Sequence, residues 1–355
     1  MINIRPGTDE DKDGILAIVE QVFGKGQAER VAKNWHWQWH VDPRLEMPGY
    51  RGVVAVWRDQ IIASLSCIPA GLYIDGKPVE AYWCVDVLTH WGLTRQALRE
   101  YKRSNDVAGA DLSRGIAAAL LDHPSAGPIQ LAKHIAASMK VITLRIGFEE
   151  VPHSGSFSRR LSYQPSLQAT FGATLGSILS AAANLSLARI PQSKLPVETF
   201  CGPFDARFDR HWSEVKSSYA AITLRDAAML NWRYRAHPDT KYITLVIPQE
   251  NEIRGYLVLS IWYSGPRLRA AVVDLLTWPD DSNAIEALLA AALRVARNEG
   301  ASRIGCFVTG VLVEAHVKRL GFEPKLKKSN KAQPLITRGL PVEGVYITDG
   351  DGDGG

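Results

Sequence analysis

The sequence contains few cysteines and carries no strong excess of either charge. Its four cysteines are spread over 355 residues and form no Cys-x-x-Cys pair. This spacing favours buried thiols in a reducing, cytoplasmic environment over a disulfide framework. The formal net charge of +4 is compatible with an anionic ligand. It is too small to indicate a nucleic-acid-binding protein by itself, so no DNA partner is predicted.

The sequence also lacks a long, purely apolar run. Its most hydrophobic long stretch, Leu167 to Ile190, is rich in Ala, Ser, Thr and Gly and is interrupted by Asn184 and Arg189. We therefore predict an amphipathic helix packed on the protein rather than a membrane span, with a peripheral membrane contact as the alternative. The N-terminus has no basic region followed by an apolar one, so we expect no secretory signal and a cytoplasmic protein.

Several catalytic motifs are absent. The sequence has no Gly-x-Ser-x-Gly elbow, no Walker loop and no complete Gly-x-Gly-x-x-Gly, which leaves nucleophile-elbow hydrolases and P-loop enzymes without support. His36 and His40 have the spacing of helical metal ligands, but the glutamate of the zinc-protease motif is missing, and no metal site is predicted. The neighbouring Trp35, Trp37 and Trp39 are predicted to pack against a sheet, with the aromatic wall of an acceptor pocket as the alternative.

What the sequence does contain is a weak internal repeat of four matches in the same order. Each half has an Asn-Trp motif, a β-branched run with a turn, a strand pattern ending in Asp-apolar-Leu-Thr, and a Gly-Phe-Glu motif. The numbered copies are Asn34 and Asn231, Asp86–Thr89 and Asp274–Thr277, and Gly147–Glu149 and Gly321–Glu323. One match could arise by chance, whereas four in one order indicate a duplication.

The repeat predicts the domain organisation. We predict an N-terminal domain over residues 1–153 with an insertion at about 92–112, a helical connection over 154–204, and a C-terminal domain over 205–340. The tail, residues 341–355, ends in an acidic, glycine-rich run and is expected to be disordered. The order of strand, helix and strand in each copy predicts a central sheet covered by helices.

Segments of the first half resemble the GNAT superfamily of N-acetyltransferases. The opening strand and helix look like the start of that fold, and Asp86–His90 is similar to its fourth strand. Arg114–Leu121 is similar to the family's Arg-Gly-x-Gly/Ala-x-Gly/Ala-x-Leu phosphate loop and helix. With the repeat, the resemblance covers nearly all of the chain except the connection and the tail. It implies an α/β (α+β) fold of two tandem GNAT-like domains, each a mixed, mostly antiparallel sheet flanked by helices, with a degenerate C-terminal copy.

The resemblance also implies an activity and a binding site. The activity would be transfer of an acetyl or other acyl group from acyl-CoA, as co-substrate, to an amine of a small-molecule or peptide acceptor. Direct attack would need neither a covalent enzyme intermediate nor a metal. Backbone groups of Val87, Leu88 and Thr89 would hold the pantetheine, with the Leu88 N–H near the thioester oxygen, where an oxyanion develops.

The phosphate end of the cofactor is assigned by the same resemblance to Arg114, Gly115, Ile116, Ala117 and Ala118. A pyrophosphate needs converging backbone N–H groups at the positive end of a helix dipole. Small residues in the first turn let the phosphates approach the backbone, and an arginine adds charge. The same letters also describe an ordinary helix start, so the assignment depends on the preceding strand and on the repeat.

The sequence gives weaker signals for the general acid and the general base than for the cofactor site. The resemblance implies that Asp86 acts as a general base through a water, but Asp274 holds the same place in the second copy, which lacks the Arg-Gly motif. A structural role at the strand end is therefore the alternative for Asp86. The family's general-acid tyrosine has no counterpart here, and Ser138 is named as its substitute. The basic insertion is interpreted either as a lid or acceptor-binding helix or as a solvated helix.

Two other functions stay open at this point. A GNAT-like fold without cofactor could serve as a non-catalytic interaction module, which the insertion and the missing tyrosine favour. A FemABX-like transferase, which also pairs two GNAT-like domains, would take its group from aminoacyl-tRNA instead. The Arg-Gly motif of the first copy speaks against both.

Overall fold

A computed structural model describes the chain in residues 1–104, 112, 115–185, 187, 189–325 and 335–352. The chain divides into two compact units, each made of three segments. The first unit comprises Met1–Leu72, Pro78–Glu150 and Ile336–Val342. The second comprises Tyr73–Lys77, Val151–Leu335 and Glu343–Gly355.

The strands of the first half are β1 Asn3–Pro6, β2 Gly52–Trp57, β3 Gln60–Pro69, β4 Leu72–Ile74, β5 Lys77–Val79, β6 Ala81–Thr89, β7 Ile129–Ala132, β8 Glu149–Glu150 and β9 Gly155–Arg160. Those of the second half are β10 Glu198–Phe200, β11 Ala221–Thr223, β12 Tyr242–Gln249, β13 Glu252–Ser264, β14 Arg267–Thr277, β15 Arg303–Val308, β16 Glu323–Pro324, β17 Ile336–Arg338 and β18 Val345–Tyr346. The long ones are rich in β-branched and aromatic residues, as strands buried on both faces require.

The helices are α1 Lys12–Phe23, α2 Lys25–His40, α3 Trp91–Ser104, α4 Ile116–Asp122, α5 Ala137–Arg145, α6 Gln164–Phe171, α7 Ala173–Asn184, α8 Ala206–Val215, α9 Ala227–Tyr234, α10 Ser282–Asn298 and α11 Val311–Arg319. Within the described residues, none of these helices has the length and apolar character needed to cross a membrane.

Each unit has a seven-stranded sheet, and the two sheets have the same plan. The order is β1-β2-β3-β6-β7-β17-β8 in the first unit and β10-β12-β13-β14-β15-β9-β16 in the second. All neighbours are antiparallel except the fourth and fifth strands, which are parallel in both sheets. The mixed, mostly antiparallel α/β fold is therefore confirmed, and the matching plans agree with the internal repeat.

The sixth strand of each sheet comes from the other half of the chain. In the first unit it is β17, which pairs with β7 and β8. In the second unit it is β9, which pairs with β15 and β16. Strand β9 follows the Gly-Phe-Glu motif of the first copy, and β17 follows that of the second copy. The two copies have thus exchanged the strand that follows this motif.

The sheet of the first unit is covered by helices on both faces. Ile15, Ile18 and Val19 are buried on one side of α1, which packs on β3 and β6. On the other face, Leu120 and Leu121 of α4 share a core with residues of β2 and β3. The insertion begins as helix α3, whose Ala97 is buried in this same core, while its arginines and lysine at positions 95, 99, 102 and 103 are exposed.

The second unit is also covered on both faces. Helix α10 buries Leu288, Leu289 and Leu293 in one core, and α8 buries Phe208 and Trp212 in the other. The alanine-rich sequence of α10 allows it to lie close to strands β12–β14.

The C-terminal tail differs from expectation, because residues 341–352 are described and partly buried. Ile347 is fully buried, and the carboxylate of Asp351 accepts a hydrogen bond from Arg225 Nη2 at 2.6 Å. An acidic, glycine-rich run lacks a core of its own, but a buried arginine elsewhere in the unit gives its carboxylate a partner. Only residues 353–355 of the predicted disordered tail lie outside the described residues.

Candidate functional site

Strand β6 has a bulge at the motif Asp86–Thr89. Ser64 of β3 pairs with Leu88 and Ser66 pairs with Val85, so two residues of β6 lie opposite the single residue between them. Asp86 sits at this bulge with φ of +50°, a left-handed conformation that aspartate tolerates better than most residues. Bulges bend a strand and re-aim its backbone, and they are frequent beside functional sites.

The same strand separates from its parallel neighbour. Pairing of β6 with β7 runs from Ala81–Ile129 to Trp83–Leu131, whereas β6 continues to Thr89. Within the described residues, the β7-facing edge of β6 therefore has no strand partner beyond Trp83. We call this opening the β6–β7 wedge. Free backbone donors and acceptors along a strand edge can bind an extended ligand as a further strand would.

Two buried polar atoms near the wedge lack a partner. The Ser64 hydroxyl and the Trp83 indole N–H are both buried, and neither bonds to any residue in the described part of the chain. Ser64 lies directly opposite Leu88 in the register of the sheet, so their side chains share one face. Unpaired buried groups are costly, which favours a ligand that satisfies them.

Helix α4 begins as the proposed phosphate loop requires. Gly115 precedes it with φ of +91°, and an added Cβ there would have no atom within 4 Å. Ile116 and Ala118 turn their side chains into the core, so only their backbone N–H groups are available to a ligand. Arg114, the charged member of the predicted loop, lies outside the described residues.

The two equivalent aspartates have different environments. Asp274 is buried and accepts three hydrogen bonds. The donors are Arg225 Nε at 3.0 Å, the Tyr256 hydroxyl at 3.2 Å and the backbone N–H of Leu275 at 2.9 Å. Burial alone would lower the pKa of Arg225, but Asp351 and Asp274 outweigh it and hold that pKa well above its ordinary value. Asp86 is exposed at the mouth of the wedge. Asp274 therefore has a structural role in the second unit, and the role of Asp86 stays a prediction.

The predicted general acid lies on the same edge of the sheet. Ser138 is exposed in the first turn of α5, which follows β7. Because β6 and β7 run parallel, the end of β6 and the start of α5 meet at one edge. His134, between β7 and α5, is also exposed and has φ of +57°. Ser138, His134 and Asp86 therefore lie at the same edge of the sheet.

Tyr50 is buried beside the bulge, and the sequence analysis did not identify it. Its hydroxyl lies 3.1 Å from Ser66 Oγ, and its ring stacks on Trp35 at 5.1 Å and meets Trp39 edge-on at 4.8 Å. Burial raises its pKa, and Asp86 is among the charges that raise it further. Trp35 and Trp39 are both buried, in contact with Tyr50. A tyrosine close after an aromatic helix was the available signal.

The histidines of α2 are linked to the cluster of Trp35, Trp39 and Tyr50 through Asp9. His40 Nε2 lies 3.3 Å from Asp9 Oδ1, which also accepts a hydrogen bond from the Trp35 indole N–H at 3.0 Å. The rings of His36 and His40 stack at 5.3 Å. In the described parts of the chain, no three side chains of His, Cys, Asp or Glu come together as a metal site would require.

The corresponding wedge of the second unit is filled by the chain itself. Pairing of β14 with β15 ends at Val272–Cys306, and β14 continues to Thr277. The C-terminal segment, Val345–Gly352, enters this space: Ile347 N–H donates to Thr309 Oγ1 at 2.8 Å, and the Tyr346 hydroxyl donates to the Leu275 carbonyl. The remaining cavity has a volume of about 10 Å³. That is room for about one water molecule.

Comparison with known proteins identifies the first third of the chain. Residues 3–107 match the family model described as an acetyltransferase (GNAT) domain. No curated protein sequence matches the chain. Residues 3–107 therefore contain a GNAT-type domain, as the resemblance implied, and such a domain supports acyl transfer as the general class of activity.

Solved structures with the same fold cover nearly the whole chain. A GCN5-related N-acetyltransferase from Anabaena variabilis ATCC 29413 has 13% identity and a TM-score of 0.59, with 96% of this chain and 74% of that chain covered. A probable N-acyltransferase from Enterococcus faecalis V583 has 8% identity and a TM-score of 0.56, covering 95% and 72%. The Saccharomyces cerevisiae N-myristoyltransferase with bound myristoyl-CoA has 12% identity and a TM-score of 0.54, covering 95% and 82%.

Proposed function

We propose that the GNAT domain of the first unit binds an acyl-CoA in the β6–β7 wedge and transfers its acyl group to an amine. The observation that carries this proposal is the bulge of β6 at Asp86 together with the end of its pairing with β7 at Trp83. Among the residues that the structure describes, this part of β6 has no strand partner on its β7-facing edge, and the buried polar atoms of Ser64 and Trp83 form no hydrogen bond. The acyl group would be an acetyl or a longer chain, and the acceptor a small molecule or a peptide.

Each predicted binding residue has a task in this proposal. The backbone of Val87, Leu88 and Thr89 would bond the pantetheine arm along the wedge. The N–H groups of Ile116, Ala117 and Ala118 would face the pyrophosphate, which approaches because Gly115 has no side chain. Arg114 would add a positive charge there.

The chemistry follows from these positions. The acceptor amine attacks the thioester carbonyl, a C–N bond forms, and the carbonyl electrons move to an oxyanion. A backbone N–H of the segment Asp86–Thr89 would stabilise this oxyanion by about 3 kcal/mol. Asp86 takes the proton lost by the amine, through a water, which is worth roughly a hundred- to ten-thousand-fold in rate. When the oxyanion collapses, the C–S bond breaks and the CoA thiolate leaves. Ser138 would pass a proton to the thiolate while its hydroxyl takes one from water, and Asp86 would release its proton to the solvent.

The second unit would take no acyl-CoA. Its wedge is filled by the C-terminal segment, and its aspartate, Asp274, is bonded to Arg225. We therefore expect one acyl-CoA per chain. The second unit would then shape the acceptor site or mediate assembly.

The test is calorimetric titration of the full chain with acetyl-CoA and with a long-chain acyl-CoA. Gly115→Glu places bulk and negative charge at the phosphate position, and we expect at least a hundredfold loss of affinity. Gly310→Glu is the matched control, because Gly310 also precedes a helix, has φ of +86° and has open space around an added Cβ. We expect it to bind as the unaltered protein does, with a stoichiometry of one.

Two results would contradict the proposal. If the unaltered protein binds neither acyl-CoA, the interaction-module and aminoacyl-tRNA alternatives replace acyl transfer. If Gly115→Glu and Gly310→Glu weaken binding equally, the cofactor does not lie at α4.

A further inference from the structure

The helical hairpin of α6 and α7 has its apolar side turned outward. The buried residues of α7 are Gly176 and Ser180, while Leu175, Ile178 and Leu179 on its other side are exposed. Ile178 keeps 64% of its surface accessible. A helix on the surface of a water-soluble protein normally has the reverse pattern, with its large apolar residues inside.

The contact between the two helices is made by small and polar residues. A Cβ on Gly176 would come within 2.5 Å of Gln168 Cα, so the two backbones are as close as glycine allows. The Gln168 side-chain amide donates to Ser177 Oγ at 2.8 Å. Helices that pack in lipid meet in this way, through small residues and hydrogen bonds, with large apolar side chains facing outward.

The hairpin also carries no charge. No charged residue occurs between Arg160 and Arg189, a stretch that contains both helices. Phe171 at the turn and Leu185 after α7 add to the exposed apolar surface, and Leu185 is 88% exposed. A helical hairpin of this kind gains free energy only when its outer side leaves water.

A row of arginines lies at the base of the hairpin. Arg269 of β14 pairs with Arg303 of β15, and Arg303 pairs with Arg160 of β9, so three like charges stand in register on neighbouring strands. Like charges placed directly opposite each other are destabilising. Arg303 Nη1 donates to Ser158 Oγ at 2.8 Å, but none of the three arginines forms an ion pair with a carboxylate of the described residues. Burial and the charges of Arg160 and Arg269 lower the pKa of Arg303, and Glu323 offsets this only in part. An anion bound from outside would relieve the repulsion.

The arginine row is joined to the hairpin and flanked by aromatic side chains. The Arg160 guanidinium lies 4.6 Å from the centre of the Tyr163 ring, and Tyr163 N–H donates to Asn184 Oδ1 at 2.9 Å. At the other end of the row, Trp262 pairs with Arg269, and both Trp262 and its neighbour Tyr263 are exposed. Tryptophan and tyrosine are enriched where proteins meet the headgroup region of a bilayer.

We propose that the α6–α7 hairpin and the arginine row form a surface that binds an anionic membrane from one side. The apolar side of the hairpin enters the boundary between headgroups and acyl chains, and the arginines bond lipid phosphates. Stable attachment of a peripheral protein needs two such signals, one apolar and one basic. The inference is independent of acyl transfer, since none of these residues belongs to the wedge.

The test is flotation of the full chain with vesicles of phosphatidylcholine alone and of phosphatidylcholine with phosphatidylglycerol. We expect binding to the anionic vesicles, weaker binding to the neutral ones, and loss of that difference at high salt. Ile178→Asp should weaken binding to anionic vesicles at least tenfold. Val311→Asp is the matched control: Val311 is 62% exposed, lies outside the surface, and should leave binding unchanged. Arg160→Gln should weaken binding to anionic vesicles about fivefold and leave binding to neutral vesicles unaltered.

The outcomes separate the possible occupants of this surface. No flotation of the unaltered protein, or equal binding of Ile178→Asp and the unaltered protein, overturns the proposal. Sedimentation without vesicles shows whether Ile178→Asp converts a dimer into a monomer. That result would assign the hairpin to a second copy of the chain and would also overturn the membrane assignment. Loss of acyl-CoA binding in Gly115→Glu has no bearing on flotation, so the two proposals fail separately.

Discussion

Asp86 and Asp274 occupy the same place in the repeat, but replacing each by asparagine should affect a different property. Asp274→Asn should lower the stability of the protein, whereas Asp86→Asn should lower the rate of acyl transfer. Asp274→Asn keeps the size of the side chain but removes a buried charge that Arg225 and Tyr256 contact at 3.0 and 3.2 Å. Breaking a buried ion pair costs about 3–5 kcal/mol. We expect the lower end, about 3 kcal/mol, because Asp351 remains bonded to Arg225.

The loss can be measured as a fall in melting temperature. For a unit of this size, about 3 kcal/mol corresponds to roughly 6–12 °C, read from the circular dichroism of the second unit's transition. Binding of acyl-CoA at 25 °C should persist in Asp274→Asn, because the proposed site lies in the first unit.

Asp86→Asn should leave the melting temperature within about 1–2 °C, since the residue is exposed and asparagine also tolerates a positive φ. Acyl transfer should fall roughly a hundred- to ten-thousand-fold, with little change in acyl-CoA affinity. The reasoning is refuted if Asp274→Asn melts as the unaltered protein does. It is equally refuted if Asp86→Asn destabilises the protein while turnover stays intact.

Two further predictions concern the second unit. Tyr346→Ala removes a buried ring of the C-terminal segment and should lower the free energy of unfolding, measured with urea, by about 3–5 kcal/mol. Tyr263→Ala, at an exposed position, is the control and should lower it by less than about 0.5 kcal/mol. Equal losses in the two variants would contradict the filled wedge. Burial lowers the pKa of His211 from 6.5 to about 4. Between these two pH values, His211 therefore binds more protons in the unfolded chain than in the folded one. The free energy of unfolding should fall by up to about 3 kcal/mol as the pH drops from 6.5 to 4. His211→Phe should flatten this pH dependence, and an unchanged profile would rule out His211 as its source.

The candidate site could be predicted from the sequence because its signals are local. The run Asp86–Thr89 at the end of an apolar strand and the Gly115 helix start can both be read within a few residues. The structure adds that the strand is bulged there and that its pairing with β7 stops. Tyr50 and the unpartnered Ser64 were missed, since neither has a distinctive neighbour in the sequence and both matter only through the opposite strand.

The α6–α7 hairpin and the C-terminal tail show what hydrophobic pattern and amino-acid composition do not predict. Leu167 to Ile190 is apolar at helical spacing, but the sequence does not tell which side of the helix is buried; the structure turns Gly176 and Ser180 inward. The acidic tail has too few apolar residues to fold alone, yet Asp351 is buried against Arg225, which lies far away in the sequence.

The duplication, the order of the elements and the α/β class could be predicted from local patterns, because hydrophobic periodicity and turn residues act over short stretches of chain. The exchange of β9 and β17 and the closure of the second wedge by Val345–Gly352 became visible in the folded chain. Which strand fills a sheet position, and which aspartate becomes buried, depends on partners far apart in the sequence. Packing and desolvation choose those partners, and no local pattern records the choice.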